Sequence, residues 1–200
     1  EITEKVSQLC MDANFNLNED VLDALRDSYE AEGSPVAREV FAELLENAKI
    51  AHECQMPLCQ DTGVAVVFVE IGEDIEIVDG RLYDAIHEGI REGYKKGFLR
   101  KSMVKDPLNR INTGDNTPAI IHTEVTSEYY LKITFMAKGG GCENMSRLAM
   151  LTPADGKAGV INFVVETVKR AKANPCPPII VGVGIGGTFD YAALLAKKSL

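Results

Sequence analysis

Three short polar segments interrupt the apolar pattern of this 200-residue chain, and each carries a cysteine among turn-forming residues. They are Pro57-Leu-Cys-Gln-Asp-Thr-Gly63, Gly139-Gly-Gly-Cys-Glu-Asn144 and Asn174-Pro-Cys-Pro-Pro178. Junctions of this kind present side chains to a site while the elements behind them hold the backbone. A thiolate placed there can hold a soft metal centre. Prolines and turn formers fix backbone direction around Cys59 and Cys176, which suits aiming a ligand better than filling a core. Cys10 lies on a helical stripe and Cys54 within a helical end, and both read as small buried hydrophobes. No C-x-x-C occurs and four residues separate Cys54 from Cys59. Zinc-ribbon and ferredoxin spacings are therefore absent, and any ligand set has to be gathered from distant loops.

Other candidates are weaker. Residues 182–187, Gly-Val-Gly-Ile-Gly-Gly, satisfy G-x-G-x-x-G by letter. Three readings stay open for them: a dinucleotide-binding module, a plain structural turn, or a helix N-terminus that takes an anion. Arg100 and Arg110 could each bind an anion or form a surface salt bridge. His52, His87 and His122 have no partner at ligand spacing.

These junctions need elements to hold them. Residues 2–50 carry apolar positions three and four apart, which predicts helices. One stripe is Val21, Leu22, Leu25 and Tyr29. After Gly33, Ser34 and Pro35 supply an N-cap and a first-turn proline for the next, whose face is Val36, Val40, Leu44, Leu45 and Ala48. Residues 64–71 are a continuous β-branched run of strand length, read as a buried strand. A helix is expected over 82–95, then strands over 118–125 and 129–137 around Thr126-Ser-Glu128 as a hairpin. Gly139-Gly-Gly141 reads as a flexible turn. Thr152-Pro-Ala-Asp155 opens a helix with the face Val160, Phe163, Val164, Thr167, Val168 and Ala171, and residues 178–183 read as a last strand. The expectation is a mixed α/β fold: mixed β-sheets flanked by helices, with an all-helical N-terminal layer over about 1–55 and a sheet-and-helix part over about 56–200. It forms one domain over 1–200. The chain starts without Met and stops inside a helical pattern, so both ends read as cut.

Composition narrows the function class. The chain has 46% apolar and 26% charged residues, and 21 Lys+Arg against 30 Asp+Glu give a net charge of −9 with no basic stripe. Nucleic acid is excluded as a partner on this count, because phosphate neutralisation needs clustered cations. No apolar run reaches membrane-spanning length and no signal peptide opens the chain, so a cytoplasmic protein with no membrane partner is expected. Five cysteines, an odd number in a chain this long, argue against a secreted disulfide framework.

Taken together, Cys59-Gln-Asp-Thr-Gly63, Arg110-Ile-Asn-Thr-Gly-Asp-Asn-Thr-Pro-Ala119, Lys138-Gly-Gly-Gly-Cys-Glu-Asn-Met-Ser146 and Pro175-Cys-Pro-Pro178 with Gly186-Gly-Thr188 resemble the α-subunit of the two-subunit class I fumarases and L-tartrate dehydratases. The match runs in order over essentially the whole chain. The resemblance implies an oxygen-sensitive hydro-lyase with a [4Fe-4S] cluster on three cysteines and one open iron acting as Lewis acid. Cys59 and Cys176 match two of those metal ligands, and the third is expected beyond Leu200. Cys142 stands where the family commonly has Ser, so it is not assigned as a ligand. Asp61 matches a proposed catalytic residue, with Gln60 beside it; Arg100 matches an arginine that clamps a substrate carboxylate, and Gly140 and Gly141 would offer backbone N–H groups to substrate. The resemblance further implies fumarate and malate, or a similar dicarboxylate, as substrate. L-tartrate is the alternative. It also implies a β-subunit partner, in an α2β2 assembly or a homodimer of α. On that view the chain alone is an inactive half-site.

Overall fold

The computed structural model describes residues 1–200. Its contacts cluster into two compact units, 1–139 and 140–200.

The first unit opens with three helices, as the spacing predicts: α1 (Ile2–Phe15), α2 (Glu19–Ala31) and α3 (Pro35–Cys54). Ser34 caps α3 by accepting from the Ala37 amide, with Pro35 in the first turn. The predicted apolar face of α3 is covered only towards its C-terminal half, where Ala48 and Ala51 are buried, while Val36 and Val40 are exposed. Cys54 at the helix end is also exposed, which corrects its reading as a packing residue. Cys10 is fully buried, as expected.

Strand β1 (Val64–Gly72) is followed by α4 (Leu82–Lys96), β2 (Ile120–Thr126) and β3 (Leu131–Lys138). They form one mixed sheet of order β2-β1-β3, with β2 parallel and β3 antiparallel to β1. The expected hairpin is therefore absent: β2 and β3 are neighbours in sequence but not in the sheet. The continuous run of β1 explains this, since Ala65 through Val69 are all buried and such a strand is best placed at the centre. The β2–β3 connection passes over the end of β1, where the Gly72 amide donates to Tyr130 O and the Glu73 amide to Thr126 O, both at 2.9 Å. Gly72 is needed there, because a Cβ would run into the Glu128 carbonyl.

One face of the sheet is covered by α1 and α4. Val67, Val69 and Ala65 meet Val6, Cys10, Phe15, Ile86, Ile90, Tyr94 and Leu99 in a single core. α1 and α4 approach closely because Gly89 and Gly93 present no side chain: a Cβ at Gly93 would lie 2.7 Å from Cys10 Cβ and from Ser7 O.

The second unit holds the one-turn helix α5 (Gly140–Glu143), a 3-10 turn (Pro153–Asp155) running into α6 (Gly156–Ala171), and α7 (Phe189–Lys198). The first of these replaces the expected flexible turn. Thr152 and Asp155 form a reciprocal capping box at the start of α6. Residues 178–183 form no strand, contrary to expectation, since they pair with no ladder.

Candidate functional site

The loop 55–63 joins α3 to β1, and its two ends are held differently. On the entry side, the Leu58 amide donates to Asn14 O and the Asn47 side chain to Leu58 O, both at 2.9 Å. On the exit side, Thr62 and Gly63 are buried. The Tyr94 hydroxyl, itself buried, donates to Thr62 O at 2.8 Å and lies 3.2 Å from Gly63 O. Gly63 has φ +67, and a Cβ on it would run into the backbone of Lys138 and Gly139. Between these anchors Cys59 and Gln60 stand exposed and Asp61 half-buried. The Asp61 amide points to Cys59 Sγ at 3.4 Å, and Asp61 Oδ1 accepts from the Gly63 amide at 3.2 Å, so the loop folds back on itself.

Arg100 belongs to the neighbouring segment 98–119. Its backbone carbonyl accepts from the Thr62 hydroxyl at 2.8 Å, which ties the Cys59–Asp61 loop to the segment carrying Arg100. The guanidinium of Arg100 makes no ion pair, nor does that of Arg110, so the salt-bridge reading of either does not hold. The segment is braced by an isolated antiparallel bridge between Val104 and Asn112 and by the Asn112 side chain donating to Lys101 O at 2.8 Å. Asp115 accepts from the Thr117 amide and hydroxyl and from Arg91 Nε. Burial works to raise the Asp115 pKa, and these donors outweigh it and leave the carboxyl below its usual value.

Asn116 is fully buried. Its Oδ1 accepts from the Ser102 and Met103 amides at 2.7 and 3.0 Å, and its Nδ2 donates to Gly63 O at 3.2 Å. Asn116 and Thr62 lie within motifs singled out from the sequence but were assigned no role there, and Tyr94 was not singled out. The signal available was the density of Asn, Asp and Thr in residues 112–117, a composition suited to side chains that bond nearby backbone.

Gly140, Gly141 and Cys176 lie in the second unit. Gly140 opens α5 in a conformation any residue could adopt, with nothing within 4 Å of a Cβ built on it. Its lack of a side chain is not demanded by the packing of the chain itself. Gly141 is tighter, since its Cβ would lie 3.1 Å from Asn174 O, so the Gly140 turn and the turn before Cys176 are neighbours. Cys176 is exposed, at φ +58, with its amide bonded to Ala173 O at 3.1 Å and prolines on both sides.

Two of the glycines of 182–187 are packed against the helix that follows. A Cβ at Gly182 or Gly184 would run into the backbone of α7 at Ala196 and Ala192. No strand leads into the loop. Both features depart from a dinucleotide-binding turn, which needs a preceding strand and glycine backbone open to a pyrophosphate.

The donor set matches an iron–sulfur group in kind and not in number. In kind it fits: Cys59 and Cys176 are exposed thiols on anchored loops and form no disulfide. In number it falls short, since no group of three or more His, Cys, Asp or Glu side chains gathers as a metal site within the chain.

The family model described as fumarate hydratase (fumerase) matches residues 3–200. The chain belongs to the fumarate hydratase (fumerase) family. Within this family it is similar to a Methanocaldococcus jannaschii protein that carries the provisional name L(+)-tartrate dehydratase subunit alpha. The two are 43% identical over 208 residues, covering 100% of this chain and 72% of the relative. It is also 30% identical over 204 residues to the L(+)-tartrate dehydratase subunit alpha of Escherichia coli K12, covering 100% of this chain and 67% of that protein. The family resemblance drawn from the four motifs is thus borne out, and both relatives carry the name of a dehydratase α-subunit. No helix in it is long and apolar enough to cross a membrane.

Proposed function

We propose that this fumerase-family chain is the α-subunit part of an iron–sulfur hydro-lyase that reversibly hydrates fumarate to malate. The observation that supports this best is the bond from Thr62 to Arg100 O, which sets the Cys59–Asp61 loop beside an arginine whose charge no carboxylate of the chain neutralises. In this reading Cys59 and Cys176 hold a [4Fe-4S] cluster together with a ligand from outside these 200 residues. Bound there, the cluster supplies Lewis acidity towards a substrate oxygen.

The chain's own residues do the rest. Arg100 takes a substrate carboxylate bidentately, a geometry that its planar guanidinium matches and a lysine would not. In a protein of net charge −9 such a local cation is required, since the general field repels a dianion. Asp61, held by the Gly63 amide, moves a proton at the substrate carbon or at the departing hydroxyl, and Gln60 orients the same group. Gly140 leaves the space where a side chain would obstruct substrate. The remaining catalytic groups and a β-subunit complete the site.

A second reading, dehydration of L-tartrate, is favoured by the names of the two relatives. Anaerobically purified full-length α-subunit with its β partner is to be assayed on malate, fumarate and L-tartrate. Turnover of malate and fumarate is expected. Turnover of tartrate alone would move the substrate to the second reading, and no dehydration of either would sink the proposal. Iron and sulfide analysis of the same preparation gives a separate readout: Cys59→Ala and Cys176→Ala are expected to lose the cluster and Cys142→Ala to keep it.

A further inference from the structure

Hydrogen bonds tie two segments together: the loop that carries Cys59, Gln60 and Asp61, and the stretch that carries Arg100. Asn116 lies between them, fully buried, in the left-handed region at φ +62, where Asn is among the few non-glycine residues tolerated. Its amide bonds to both sides of the gap. The oxygen takes the Ser102 and Met103 amides, just past Arg100, and the nitrogen gives to the Gly63 carbonyl, just past Asp61. Thr62 makes the second strut, from its hydroxyl to Arg100 O at 2.8 Å. Only a primary amide of this length both accepts from two amides and donates to a carbonyl; a carboxylate lacks the donor and a hydroxyl lacks the reach.

We infer that Asn116, seconded by Thr62, is a positioning residue that sets the separation between the Asp61 carboxylate and the Arg100 guanidinium. This rests on the reading of those two groups given above. A bracket of this kind touches no reactant. It acts by holding the carboxylate-binding group and the proton-moving group in one frame, and a misplacement of about 1 Å in such a frame costs on the order of 10²-fold in rate.

The test is a double-mutant cycle in the assembled full-length enzyme, using Asn116→Ala and Arg100→Lys singly and together. It reads kcat and KM for malate and L-tartrate and the inhibition constant of succinate, a dicarboxylate with no hydroxyl to lose. Asn116→Ala is expected to lower kcat/KM about 10²-fold and to weaken succinate about tenfold, and the double variant to fall little below the weaker single one. Losses that simply multiply would overturn the inference. So would an unchanged succinate constant with activity tracking only the folded fraction. If Asn116→Ala does not fold, Thr62→Val, nearly the same shape, takes its place under the same criteria. Should Arg100→Lys alone change neither KM nor the succinate constant, the reading of Arg100 itself fails, and that outcome is distinct from additivity.

Discussion

Burial decides the chemistry of individual thiols here. Desolvation pushes the Cys10 thiol up to about 12, so at pH 8 almost none of it is thiolate, while Cys54, Cys59, Cys142 and Cys176 are exposed. Brief iodoacetamide treatment of the apo chain, read by mass spectrometry, is expected to label those four and leave Cys10 unmodified; labelling of Cys10 at a similar rate would contradict its burial. The same shift has a linkage sign. A thiol titrating near 9 when unfolded and near 12 when folded keeps its proton longer in the native state. Its contribution is therefore complete below pH 9 and is lost as pH rises from 9 towards 12. Tyr94, also raised by burial, adds in the same direction. Urea midpoints measured at pH 7, 9 and 10.5 are expected to fall over the last interval, less steeply in Cys10→Ala. A Gly63→Ala change should cost roughly 2 kcal/mol or more in urea melts, since it combines a positive φ with a Cβ set against the Lys138 backbone. Much of this scale was legible in the sequence: the helical stripe located Cys10 in the core, and the motif loops located Cys59 and Cys176 on the surface. Cys54 was misjudged, because a helical position near the last turn carries no information about what covers it. Asn116 stood within a motif but its role was not legible, since its worth comes from a carbonyl 53 residues away.

At the scale of elements, helix α4 shows propensity overruled by packing. Alanine in place of a mid-helix glycine ordinarily stabilises by about 1 kcal/mol. At Gly93 a methyl group would press on Cys10 Cβ and Ser7 O, and at Gly89 on Val6 and Thr3 O. Gly93→Ala is therefore expected to destabilise the protein by roughly 1–3 kcal/mol, as overpacking does, while Gly33→Ala, which meets no atom within 4 Å and has no positive φ, serves as the comparison. A rise in the urea midpoint for Gly93→Ala would mean that the two helices have room to part. Helices were the most legible elements, because period, cap and proline signals coincide within one segment. The sheet was legible in content and not in order. Periodicity located all three strands, yet pairing is non-local: β1 meets Ile120 through Thr126 on one side and residues 131–138 on the other. Adjacency in sequence pointed to β2 with β3, and the demand of a fully apolar strand for two neighbours prevailed. The misread strand at 178–183 has the converse cause. Its β-branched residues match strand composition, but no ladder receives them.

The whole molecule is unequal in its parts. Every residue of the main core cluster lies within 1–139, whereas Ala171 is the one buried apolar residue of 140–200. Residues 1–139 expressed alone are expected to unfold cooperatively in urea, and residues 140–200 alone to show no cooperative transition. A cooperative melt of the shorter piece would mean that its helices hold themselves together. The reading of 1–200 as one domain is sharpened by that experiment into a question of dependence. Function at this scale was legible only as a resemblance, since the motifs that carry it are spread over four loops and no single spacing encodes them. The central place of β1 also bears on how the chain is made. During synthesis at roughly 5–20 residues per second, β1 leaves the ribosome several seconds before the about fifty residues that separate it from β2 have been added. Through that interval its most apolar stretch has both edges open, so the nascent protein depends on chaperones, or on early docking of α1, more than the finished fold suggests.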